Sequence, residues 1–106
     1  MDMEKSNQDI EKLQILEQSL QNNISQRVTF QENKAEIENA LNELKDCEES
    51  YKIVGNLIVK ANKEKQLEEL NKQLQVINSR ITALKNNEET LKDKIENLRK
   101  EVLDKD

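Results

Sequence analysis

Ten consecutive residues, Tyr51-Lys52-Ile53-Val54-Gly55-Asn56-Leu57-Ile58-Val59-Lys60, carry the types and spacing able to do chemistry in this chain, and that chemistry is non-covalent. They hold its only glycine and a tight cluster of β-formers. Gly55-Asn56 suits a two-residue hairpin turn of type II′, which asks for glycine at its first position. A turn there sets Val54 opposite Leu57, Ile53 opposite Ile58, Lys52 opposite Val59 and Tyr51 opposite Lys60. Alternation along the strands places Val54, Leu57 and Val59 on one face and Tyr51, Ile53 and Ile58 on the other. Both faces are apolar. A lone hairpin is marginal in water, and one helix pair covers only one of its faces. The second face and the two open edges therefore call for strands from other chains.

Covalent chemistry has little to work with. The chain has no His, no Gly-rich phosphate loop, no clustered Cys and no serine nucleophile motif. Its carboxylates belong on solvated helix faces, and a coiled coil has no concave pocket. We expect no enzyme activity, no metal and no cofactor. Cys47 is alone, so no intrachain disulfide is possible; it reads as an ordinary small residue in a reducing compartment.

Composition sets the elements that must position the hairpin. Of 106 residues, 34% are hydrophobic and 37% charged, with one Phe, one Tyr and no Trp, too little apolar bulk for a thick core. This is the balance of a long helix or coiled coil, and the absence of Pro leaves nothing to break one. The net charge is −5, without the basic face nucleic acid requires. Residues 1–48 hold 11 acids against 5 bases, and residues 61–106 hold 10 of each. We read the acidic half as a solvated helix face, with a basic partner as the alternative. No run is long enough to span a membrane, and the opening residues lack the apolar core of a signal peptide, so the expected location is cytoplasmic.

After the hairpin, Leu67, Leu70, Leu74, Ile77, Ile81, Leu84, Leu91, Ile95, Leu98 and Val102 step by three and four. Ten of eleven seam sites are apolar and only Glu88 departs, a strong coiled-coil signal. Glu88 has two readings: a cross-helix pair with Arg27, or the simpler one of a long side chain reaching solvent. Asn62 is placed to cap this helix, with Glu64 in its first turn. Before the hairpin the pattern is weaker. Ile10, Leu13, Leu20 and Ile24 mark one face, with Leu16 beside it; Ile37, Leu41 and Leu44 mark another. Arg27, Gln31 and Lys34 fall between, and a register slip is expected there. Ser6 is a candidate cap for this first helix.

The expected layout is a single domain over 1–106: a helix at about 6–48, a hairpin at 51–60 and a second helix at about 62–105. The hairpin reverses the chain, so the helices pair antiparallel, with partner numbers summing to near 112. The fold class is mostly α: a long antiparallel two-helix coiled coil joined by one β-hairpin.

The hairpin string Tyr51–Lys60, with its Val54-Gly55-Asn56-Leu57-Ile58-Val59-Lys60 core between an acidic helix end and a Leu/Ile heptad helix, resembles the prefoldin β-class subunit. The resemblance covers the whole helix–hairpin–helix layout, and the hairpin is its specific part. It implies a hexamer of two α-class and four β-class subunits whose hairpins form an intersubunit β-barrel platform. The α class carries two hairpins; this chain has room for one. The resemblance further implies that the coiled-coil tips hold unfolded proteins and pass them to a group II chaperonin without ATP.

That work asks for accessible apolar groups near the two chain ends. Met1, Met3, Ile10, Leu13, Leu98, Val102 and Leu103 are the candidates. Ile10, Leu13, Leu98 and Val102 read equally well as plain seam residues. Met1 and Met3 are flexible and polarizable, and Leu103 falls beside the seam rather than in it. The competing function is a structural coiled-coil homodimer or spacer without clients. It predicts helix straight through 51–60, against the β-branched run and the glycine.

Overall fold

Uninterrupted helix formers on either side of one β-rich patch dictate the element order. In the computed structural model, secondary structure is described for residues 2–104 and side-chain surroundings for residues 7–103. The order is α1 (Asp2–Asp46), β1 (Ser50–Val54), β2 (Leu57–Ala61) and α2 (Lys63–Asp104). Two helices of 45 and 42 residues make the chain mostly α. Ser6 lies inside α1 and does not cap it, because the helix already runs from Asp2.

The strands pair antiparallel in the register the Gly-Asn turn demands. Val54 meets Leu57, Ile53 meets Ile58, Lys52 meets Val59 and Tyr51 meets Lys60, with Ser50 and Ala61 adding one more pair. Gly55 has φ +60°, and among the described non-glycine residues none has positive φ. Positive φ at the first turn position alone marks type II′ rather than I′. Asn62 caps α2: its Oδ1 accepts from the backbone N–H of Glu64 at 3.0 Å and of Lys65 at 3.3 Å.

The chain forms two compact units. One is Met1–Val28 with Thr82–Asp106, and the other is Thr29–Ile81. In the first, Leu91 and Ile95 are buried, together with Asp9 and Asn23. The helices run antiparallel within it: Glu17 meets Arg99, and Arg27 meets Glu88. In the second, Leu41 and Ile81 are buried, and the Arg80 guanidinium lies 5.6 Å from the centre of the Phe30 ring.

The seam of α2 is the expected one: all eleven sites from Leu67 to Val102, Glu88 included, are buried or half-buried. The seam of α1 corrects the expectation. One line of its less exposed residues runs Asp9, Leu13, Leu16, Leu20, Asn23, Arg27, Phe30, Lys34, Ile37, Leu41 and Leu44, in steps of four and three without a slip, with half-buried Glu17, Ile24, Gln31, Asn33 and Ala40 beside it. Ile10 is off this line and exposed, and Leu16 is on it. The heptad continues through polar residues because those side chains find partners. The Asn23 Nδ2 donates to the Leu84 carbonyl at 2.7 Å, and its Oδ1 accepts from Asn87 Nδ2 at 2.9 Å.

Candidate functional site

The hairpin carries the largest exposed apolar side chains of its unit. Ile53 is 76% exposed and Ile58 73%, on one face; Val54 and Leu57, on the other, are exposed as well. Tyr51 is exposed, while Val59 is half-buried. The root of the hairpin is covered instead: Ser50 is buried, and its hydroxyl sits 3.5 Å from the Ala61 carbonyl oxygen. Fully burying a side chain of this size stabilises by about 1.5–3 kcal/mol. Covering the four aliphatic residues at the turn is therefore worth roughly 4–8 kcal/mol, before the entropic cost of association.

Local contacts aim the hairpin. The Lys63 ammonium donates to the carbonyl of Lys45 at 3.1 Å and also to that of Cys47. It thereby satisfies carbonyls at the end of α1, where a cation is favoured by the helix dipole. Gln66 Nε2 donates to the Tyr51 carbonyl at 3.4 Å, and the Tyr51 hydroxyl donates to Glu49 at 2.8 Å. The anchors from Lys63 and Gln66 had no signal in the sequence, since their acceptors are main-chain carbonyls 15 to 18 residues away.

The other candidates lie in the first unit. Leu103 is 70% exposed and Ile10 is exposed, whereas Leu13, Leu98 and Val102 are half-buried along the seams. Met1 and the side chain of Met3 lie outside the described residues. Sequence spacing missed Ile15, 65% exposed, which lines a shallow groove with Leu16 and Leu98. Its signal was an apolar residue off the heptad, beside Leu16.

Glu88 corrects the solvent reading. Its side chain is 12% exposed, and its Oε2 accepts from Arg27 Nε at 2.9 Å, with Lys92 Nζ 3.5 Å from Oε1. Partial burial alone would raise the carboxyl pKa. The Arg27 hydrogen bond and charge, then Lys92, outweigh it and hold the group below the usual carboxylate range.

No cluster of three or more metal-ligating side chains occurs among the described residues, and no described helix is long and apolar enough to cross a membrane. A family model described as "Prefoldin subunit" matches residues 7–105. The prefoldin β subunit of Thermococcus strain KS-1 superposes with a TM-score of 0.86 at 29% identity, over 92% of this chain and 89% of that one. The prefoldin β2 subunit of the same strain shares the fold at 19% identity, with a TM-score of 0.66, over 92% of this chain and 99% of that one. No curated protein matches the sequence. The chain belongs to the prefoldin subunit family and is a β-class member of it. It is thus a subunit of a prefoldin-type chaperone, a non-enzymatic family whose members assemble with other prefoldin subunits.

Proposed function

We propose that this chain fills a β-class position in a hexamer of two α-class and four β-class prefoldin subunits, with its hairpin built into an intersubunit β-barrel platform. The helix ends of unit one then hold unfolded proteins by weak apolar contacts and hand them to a group II chaperonin without ATP. The observation that carries this reading is the exposure of both faces of one hairpin, which no other described residue covers. Tyr51, Ile53, Val54, Leu57, Ile58 and Val59 are its assembly residues, with Gly55 and Asn56 as the turn. Exposed Ile10, Ile15 and Leu103 lead the client-contact residues; Leu13, Leu98 and Val102 form the seam beneath them and contribute on fraying.

Native mass spectrometry of the chain mixed with an α-class subunit tests it. A two-plus-four mass is expected, and Ile53→Glu with Ile58→Glu should abolish that mass while leaving helix content unchanged. A stable homodimer that ignores the α-class subunit would leave the structural spacer as the better reading.

A further inference from the structure

A groove of about 520 Å³ opens at the root of the hairpin, within unit two. Its floor is apolar, from half-buried Ala40, Leu44 and Leu70, and its rim is acidic, from exposed Glu43 and Glu69. No cation lines it. Glu49, also on the rim, is engaged by Lys60 and the Tyr51 hydroxyl.

The groove lies on the side of one strand. Ser50 and Tyr51 of β1 line it, and no residue of β2 does. β1 has an unpaired outer edge, because the sheet has only two strands. In a hairpin closed by a two-residue turn, Val54 and Leu57 form a hydrogen-bonded pair, so the backbone groups of Ile53 and Tyr51 point outward. Gln66 already occupies the outward Tyr51 carbonyl. A further strand can dock beside Ile53, and a chain that continues along the β1 edge towards Ser50 reaches the groove.

A second copy of this chain fits that path poorly. The segment before its β1 is acidic, with Asp46, Glu48 and Glu49. Of the cations just after its turn, Lys60 lies on Glu49 and Lys63 on the α1 carbonyls, which leaves only exposed Lys65, flanked in sequence by Glu64 and Glu68. Acid facing acid is a like-charge mismatch that selects against self-pairing.

We propose that the groove at the root of β1 receives the hairpin-flanking segment of a different prefoldin subunit, one that offers an apolar side chain together with an unpaired Lys or Arg. The acidic rim thereby selects which class of subunit sits on the β1 edge. This rests on the assembly reading above and adds the chemistry of one neighbour.

Cys47 is exposed and lines the groove, so the unaltered protein carries its own reporter. The test follows the rate of iodoacetamide alkylation of Cys47, in the chain alone and in the complex with an α-class subunit, with native mass spectrometry on the same samples. In the complex the rate should fall at least tenfold. Glu43→Lys with Glu69→Lys should restore it towards the free rate and shift the mass towards subcomplexes, while Glu36→Lys with Glu89→Lys, exposed elsewhere, should do neither. A full-mass complex with unchanged Cys47 reactivity would overturn the groove proposal and leave the assembly reading intact. Protection already present in the chain alone would mean that a second copy occupies the groove, which also overturns it. The absence of any complex would overturn both readings.

Discussion

Arg27 and Glu88 show what one pair of residues contributes inside a helical seam. Two charges in a coiled-coil interface cost desolvation, and here the cost is offset by a 2.9 Å charge-assisted hydrogen bond and by Lys92. The pair is partly buried, so its loss should fall between that of an exposed bridge and a sealed one, and Arg27→Gln should destabilise by about 1–2 kcal/mol at pH 7. The pH dependence follows from the direction of the Glu88 shift. Its folded pKa lies below the ordinary value of 4.5, so the contribution is complete above about pH 4.5 and is lost as pH falls through the lower, folded value. Thermal unfolding of the wild type and of Arg27→Gln should therefore differ more at pH 7 than in acid well below pH 4.5. An equal gap at both pH values would show that Arg27 acts through packing alone. Glu88→Gln, which keeps the shape and removes the charge, should flatten the acid limb of the wild-type profile.

At the scale of elements, legibility followed how local each cause was. The hairpin was readable to its register because Gly55-Asn56 and the flanking β-formers specify it within ten residues. The α2 seam was readable because ten of its eleven sites are apolar. The α1 seam was not, since it passes through Asp9, Asn23, Arg27 and Lys34 while Ile10, Ile15 and Val28 face solvent. Apolar spacing alone then suggests a slip that the helix does not make. What keeps the register is partner chemistry, such as Asn23 against Leu84 and Asn87, and that is visible only once α2 lies alongside. The groove beside Cys47 was hidden for the same reason. The turn gives this scale its test. An added Cβ at Gly55 would meet nothing within 4 Å, so Gly55→Ala should cost only backbone strain at φ +60°, about 1–2 kcal/mol. D-alanine installed there by chemical ligation should recover most of that loss, because type II′ turns accept a D-residue at this position. If both alanines lower the unfolding midpoint equally, strain at positive φ is not the cause.

For the whole molecule, the proposed reading divides labour between the two units, and that division sets what the subunit can lose without falling apart. The hairpin belongs to unit two, and exposed Ile10, Ile15 and Leu103 belong to unit one. On the proposed reading each of the latter is a small apolar contact, weak alone, and capture by an oligomer would raise its effect because several copies would act on one client. Removing one exposed aliphatic contact typically weakens binding by about 1–1.5 kcal/mol, or roughly tenfold per site. With several sites engaged, Ile15→Ser combined with Leu103→Ser should raise by at least tenfold the chaperone concentration needed to suppress aggregation of a chemically denatured client. The mass of the assembly and its unfolding midpoint should not move, since neither side chain lies in a seam. Val76→Ser is the matched control: Val76 is exposed as well but belongs to unit two, so its loss should leave protection intact. Light scattering during client dilution reads the outcome directly. Protection lost equally in Val76→Ser would make capture a property of any exposed apolar residue, and protection retained in the double variant would remove unit one from client binding altogether.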